Sequence, residues 1–168
     1  MNSKTITEDF VIREATEEDC DLIVTLIREL AEYERLSHEV EATAEKLRET
    51  LFGSNRHAEV LIAEHQGSAI GYALFFHSFS TFTGRPGLYL EDIYVKPNWR
   101  GKGFGKSIMI HIAKLAVERN CSRLEWAVLD WNTPSISFYR SIDAVPMEGW
   151  TVQRLSGQSL ENLASESI

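Results

Sequence analysis

The residues from Arg100 to Ser107 read RGKGFGKS, three glycines and three cations in eight positions. Glycine lets a backbone approach a ligand oxygen with no Cβ in the way, and the cations add attraction for an anion. The run stands between a strand-like segment, LYLEDIYV, and a helical pattern that begins near Ile108. In that setting the unpaired N–H groups of the first helical turn point at whatever lies at the strand end. A bound phosphate is one reading of these residues, and a solvated basic helix start is the other. Two common phosphate loops fail on spacing. GxGxxG would begin at Gly101 and Gly103 but needs glycine where Lys106 stands. GxxxxGK[ST] finds its ending in Gly105-Lys106-Ser107, yet its leading glycine falls on Arg100, one residue before Gly101.

The elements that must position this loop are marked by hydrophobic period. Phe10 to Arg13 reads as a short strand, and Thr16 followed by acids starts a helix with Ile23, Leu26, Ile27, Leu30 and Ala31 on one face, ending near Tyr33. Thr43 caps a shorter helix to Leu51. Ala58 to Glu64 and Ala69 to Ser78 form a hairpin turned at His65 to Ser68. A turn over Thr83 to Gly87 leads into a long strand, Leu88 to Val95, stopped by Pro97. If that strand is flat, Glu91 and Asp92 face opposite sides, so only one can line a site unless the strand bulges. Ile108, Met109, Ile112, Leu115 and Ala116 mark a helix to about Asn120. A strand (Arg123 to Leu129), a helix from Pro134 to about Ile142 capped by Thr133, a closing strand around Trp150 to Leu155 and a terminal helix complete a mixed α/β domain.

Composition narrows the partners. With 168 residues, 43% hydrophobic and 25% charged, the chain is expected to be a single domain over 1–168, its core about 10–155. Seventeen Lys and Arg against twenty-five Asp and Glu give a net charge of −8. That field repels nucleic acid and favours cationic ligands, which makes the basic cluster Arg100, Lys102, Lys106 a local exception. There is no apolar run of about 18 residues, and MNSKTITEDF lacks the order of a secretory signal, so a soluble cytoplasmic protein with no membrane partner is expected. Cys20 and Cys121 have no partner motif and the five histidines show no ligand spacing, so no metal is expected.

Arg100-x-x-Gly103-x-Gly105, entered from LYLEDIYV and opening a helix, resembles the Q/R-x-x-G-x-G/A pyrophosphate loop of the GNAT superfamily of N-acetyltransferases. WNTPSISFY, Trp131 to Tyr139, is similar to that family's N-x-x-[SA]-x-x-[FL]-Y motif. FVIREATEEDC, IRELAEYE, YLEDIYV, WRGKGFG, LDWN and SFYR together resemble the diamine (spermidine/spermine) acetyltransferases and their thialysine-acetylating relatives. The resemblance implies an α+β GNAT-like fold, with a mixed, mostly antiparallel central sheet flanked by helices. It also implies acetyl-CoA as cosubstrate, a small cationic amine as acceptor, and a homodimer. The loop residues Arg100, Gly101, Lys102, Gly103, Phe104, Gly105 and Lys106 would hold the pyrophosphate, Ile93, Tyr94 and Val95 the pantetheine arm, and Asn132 and Ser135 further parts of the cofactor. Tyr139 would place its hydroxyl by the sulfur, and Tyr33, Glu34 and Glu148 would meet the amine. One departure is Asp143, where the family has glycine; at a left-handed helix end Asp costs about 1 kcal/mol against glycine.

Acetyl transfer to an amine needs the amine neutral. For a lysine-like amine with pKa about 10.4, reaching that state near pH 7 costs roughly 4.6 kcal/mol. Glu91, by its place in LYLEDIYV and by the resemblance, is the expected base acting through water. Tyr139 is the expected acid for the departing thiolate, a slightly uphill transfer that requires close positioning. The acids Glu34, Glu91 and Glu148 favour a small di- or polyamine, or an amino acid with a side-chain amine, over a protein terminus. A nucleotide-binding phosphotransferase using Gly105-Lys106-Ser107 and a CoA-binding module without turnover are the alternatives.

Overall fold

The computed structural model describes residues 9–166. Residues 1–8, on which the expectation of no signal segment partly rests, and residues 167 and 168 lie outside the described residues. The chain divides into two compact units, one ending at Leu129 and the other beginning at Asp130.

The first unit contains β1 (Phe10–Glu14), α1 (Cys20–Glu34), α2 (Ala44–Phe52), β2 (Glu59–His65), β3 (Ser68–Ser80), β4 (Arg85–Val95), α3 (Phe104–Glu118) and β5 (Leu124–Trp126). The strands form one sheet in the order β1-β2-β3-β4-β5. The first four are antiparallel and β5 runs parallel to β4, which is the mixed sheet expected. Local chemistry sets the helix starts. The Thr16 N–H donates to Asp19 Oδ2 at 2.8 Å, starting a 3-10 turn (Glu17–Asp19) that runs into α1. Thr43 Oγ1 accepts from the Lys46 N–H at 3.2 Å and opens α2. The Gln66-Gly67 turn has positive φ at both residues, 50° and 72°, the two-residue geometry whose twist suits a hairpin.

Strand alternation distributes the core over two faces. Val60, Ile62 and Tyr72 pack with Tyr94 under Ile23, Leu26 and Leu30 of α1 and Leu51 of α2. Burying each of the α1 side chains is worth about 1.5–3 kcal/mol. The opposite face carries Phe10, Glu59, His65 and Phe75, and α3 lies on it. The Phe104 ring sits 4.8 Å from that of Phe10 and 5.6 Å from that of His65. At the other end of α3, Arg119 donates twice to Glu59, at 2.6 and 2.8 Å, and lies over Phe75.

The structure corrects several boundaries. Arg85, Pro86 and Gly87 belong to β4, paired with Ser80, Phe79 and Ser78, so the turn is shorter than expected and the hairpin longer. Its outer part exposes Phe79 and Phe82, while Phe75 is core. The expected strand Arg123 to Leu129 shrinks to Leu124–Trp126, because its ladder with β4 ends at the Leu90–Trp126 pair. In the second unit, α4 (Thr133–Arg140) is capped by Asn132, one residue earlier than Thr133, and α5 (Gly157–Ala164) is the terminal helix. The closing strand around Trp150 to Leu155 does not form. Trp150, Val152 and Leu155 stay exposed, and the alternating pattern finds no ladder partner among the described residues.

Candidate active site

Between β4 and α3 the chain makes a 3-10 turn (Pro97–Trp99) and then the glycine loop. Gly101 and Gly103 have φ of 72° and 93°, left-handed values that strain any residue with a Cβ. The Gly103 carbonyl accepts from both the N–H and the hydroxyl of Ser107, at 3.0 and 3.1 Å, which ties the loop to the helix it opens. Phe104 points inward against Phe10, His65 and Trp99, so it offers the loop its amide only. The first-turn amides of Phe104, Gly105 and Lys106 have no partner within the helix, and among the described residues no side chain caps them. Gly105 has no positive φ, and a Cβ built there would meet only Val95 Cγ2, at 3.9 Å. Internal packing therefore does not call for glycine at 105. The missing Cβ leaves the amides open from outside, a fit for a diphosphate at the positive end of the helix dipole. Lys102, over the Trp99 ring at 4.9 Å, and Lys106 add positive charge there.

The strand leading to this loop is not flat. Phe75 pairs with Leu90 but its neighbour Leu74 pairs with Asp92, so Glu91 is an extra residue without a partner, a β-bulge. Leu90 shares the α3 face with Phe75. Strict alternation would put Asp92 there too, and the bulge moves it to the α1 face beside Tyr72 and Tyr94. Glu91 itself is exposed. Pairing with β5 stops where the bulge begins, so Ile93, Tyr94 and Val95 lie past the end of β5. The Val95 carbonyl accepts from Arg100 Nε at 2.8 Å.

At the close of α1, Arg35 adopts a left-handed conformation (φ 62°) and the Leu36 N–H donates to the Ala31 carbonyl at 2.8 Å, a hydrogen-bonded helix end. This leaves Tyr33 and Glu34 in the last turn. The Arg100 guanidinium stacks on the Tyr33 ring at 4.4 Å and reaches the Tyr94 ring at 5.5 Å. The Tyr72 hydroxyl donates to Asp92 Oδ2 at 2.8 Å. Burial pushes the Glu34 carboxyl above the usual range, and the nearby Asp92 pushes it further. Asp92 is likewise raised by burial and by Glu91, while the Tyr72 hydrogen bond pulls it down. Among the described residues neither carboxylate is paired with a cation, so a substrate ammonium here would meet negative charge lacking a counterion.

Tyr33, Glu34 and Arg100 are thus gathered with Asp92 and Tyr72, two residues that the sequence reading did not place in the site. The Glu-Asp doublet inside an apolar strand was the one available signal for Asp92, whereas Tyr72 carried none. In the second unit, Asn132 accepts the Ser135 N–H at 3.4 Å as the cap of α4, and Tyr139 lies in the last turn of that helix. Asp143 has φ 62° and the Ala144 N–H donates to the Tyr139 carbonyl at 3.1 Å, so Asp143 does occupy a left-handed helix end. Glu148 is exposed, next to Gly149.

A glycine loop opens a helix on a mixed five-stranded sheet after a bulged strand, and the family match assigns this frame to the acyltransferases. Residues 22–143 match the Acetyltransferase (GNAT) family, and the chain belongs to it. It is 43% identical over 167 residues to the thialysine N-epsilon-acetyltransferase of Sus scrofa, covering 93% of this chain and 98% of that one. It is 30% identical over 202 residues to the L-ornithine N5-acetyltransferase of Arabidopsis thaliana, covering 94% and 89%. The solved integron cassette protein from the V. cholerae mobile metagenome superposes with a TM-score of 0.80 at 26% identity, covering 95% of this chain and all of that one. Among the described residues no helix is long and apolar enough to cross a membrane.

Proposed function

We propose that this chain moves an acetyl group from acetyl-CoA to a primary amine of a small cationic substrate, a diamine or polyamine or the side-chain amine of a lysine-like amino acid, by direct attack in a ternary complex. The observation that carries this reading is the junction made by Arg100, which belongs to the anion-type loop and stacks on Tyr33 at the acid-lined end of α1. Relatives named for thialysine and L-ornithine support a side-chain amine as acceptor.

Acetyl-CoA supplies an acetyl group activated as a thioester, whose leaving sulfur needs a proton. The amides of residues 101–106, with Arg100, Lys102 and Lys106, hold the diphosphate, Ile93, Tyr94 and Val95 hold the pantetheine arm, and Asn132 and Ser135 contribute from α4. Tyr139 gives its phenolic proton to the sulfur. Glu91, exposed on its bulge and in reach of water, takes the amine proton through water, the deprotonation that costs roughly 4.6 kcal/mol near pH 7. Tyr33, Glu34 and Glu148 hold a second positive charge of the substrate. The homodimer implied by the family resemblance belongs to the same reading, and light scattering on the purified protein tests it.

A thiol-release assay with acetyl-CoA over spermidine, spermine, thialysine, lysine, ornithine and a short diamine tests the function. Turnover of at least one is expected. Activity on peptides alone would overturn the small-amine reading, and calorimetry showing tight ATP-magnesium binding without acetyl-CoA binding would overturn the cofactor. Tyr139→Phe is expected to keep acetyl-CoA binding and lower kcat by roughly a hundredfold or more; unchanged turnover would remove Tyr139 from the acid role.

A further inference from the structure

We propose that Tyr72 is a positioning residue for acetyl transfer, acting through Asp92: its hydroxyl holds that carboxylate at the α1 end of the sheet, where with Glu34 it receives the substrate ammonium. The inference rests on the amine-acetyltransferase reading above and deepens it.

Three observations carry it. Tyr72 is fully buried, and its hydroxyl donates to Asp92 at 2.8 Å from the adjacent strand. Tyr72 sits in this apolar core and Asp92 is half-buried at its edge, and a phenol–carboxylate pair there is a poor choice for stability, since apolar side chains of similar volume usually serve as well or better. The backbone also departs from regular pairing to build it, because only the extra residue Glu91 turns Asp92 away from the face of Leu90. Finally, the carboxylate arrives beside Glu34, and among the described residues neither is ion-paired, the nearby Arg100 guanidinium lying instead against the Tyr33 and Tyr94 rings. Three neighbours of the carboxyl act on its protonation: the apolar surroundings, Glu91 and Tyr72. Burial and Glu91 favour the neutral acid, and the Tyr72 hydrogen bond favours the charged form. The titratable or charged groups around the pair are Tyr72 on β3, Glu91 and Tyr94 on β4, Glu34 on α1, and Arg100 against the Tyr94 ring.

Removing the Tyr72 hydroxyl therefore makes Asp92 easier to protonate and weaker at holding an ammonium. The test is the pH profile of kcat/KM for the best amine of the panel, in wild type, Tyr72→Phe, Asp92→Asn and the double variant. In Tyr72→Phe the acidic limb is expected to move up by about one pH unit, with kcat/KM down roughly tenfold on that limb and recovering above it. The loss should fall mainly on KM for the amine, with acetyl-CoA binding by calorimetry unchanged. Asp92→Asn, which keeps an oxygen to accept from Tyr72, is expected to lower kcat/KM at least tenfold, and Tyr72→Phe should add nothing in that background. A merely structural tyrosine would lower the melting temperature and leave the limb where it is. A Tyr72→Phe profile that superimposes on wild type overturns the proposal. If that variant does not fold, Asp92→Asn decides alone, and an unchanged amine KM overturns it. Wild type inactive on every amine is a different outcome, sinking the function itself.

Discussion

The Arg100 guanidinium lies 4.4 Å from the centre of the Tyr33 ring while its Nε donates to the Val95 carbonyl. One side chain thereby joins the glycine loop, the end of β4 and the last turn of α1. Stacking of this kind is worth about 0.5–2 kcal/mol, so Arg100→Ala is expected to raise KM for acetyl-CoA and for the amine together, each roughly three- to tenfold. Lysine restores the charge without the planar stack. Arg100→Lys should recover the acetyl-CoA side more than the amine side, which two-substrate steady-state kinetics will show.

Gly103 and Gly105 stand two apart in one loop and should fail in different ways. Gly103→Ala forces a Cβ into φ 93° and is expected to cost about 1–2 kcal/mol of stability, read by urea denaturation. Gly105→Ala lies in helical backbone with its nearest contact at 3.9 Å, so stability should hold or rise by up to about 1 kcal/mol. The new methyl group would instead stand over the open amides, and calorimetry should show acetyl-CoA binding weakened about tenfold or more.

Arg13 makes two hydrogen bonds to Asp19, at 2.8 and 2.9 Å, and one to Glu64 at 2.9 Å, joining β1, β2 and the start of α1. The Arg13 hydrogen bond is the largest influence holding the Asp19 carboxyl down at about 2. A carboxyl lowered in the folded state stabilises the fold above its unfolded pKa, about 3.9, and loses that contribution as pH falls toward the folded value. Arg13→Ala is expected to cost about 1–2 kcal/mol at pH 7. The gap between variant and wild type should narrow from about pH 4 down to about pH 2, measured by denaturation at each pH.

Asp143 holds a left-handed helix end at φ 62° that glycine occupies without strain. Asp143→Gly is therefore expected to stabilise the protein by about 1 kcal/mol. The Ala144 to Tyr139 hydrogen bond is a backbone bond that glycine at 143 keeps, so turnover should stay within about twofold of wild type.

Much of this molecule is written in short-range chemistry. The Thr43 cap, the Gln66-Gly67 turn, the apolar stripe of α1 and the RxxGxG loop each act within a few residues, and the helices and strands of the first unit fall close to where these signals place them. The family motifs read from Arg100 to Gly105 and from Asn132 to Tyr139 are local in the same sense. The sheet's register is not local. Whether Glu91 or Asp92 faces α1 depends on which residue of β3 each one opposes, a matter of hydrogen bonds between strands some 20 residues apart in the chain. The same reason removed the expected strand at Trp150 to Leu155, since alternation prepares a strand but only a neighbouring strand's free N–H and C=O groups make one. The sequence by itself determined the loop, the helices and the class of chemistry. The tertiary structure decided which carboxylate the bulge turns toward the end of α1 and which tyrosine holds it there, because both follow from pairing across the sheet.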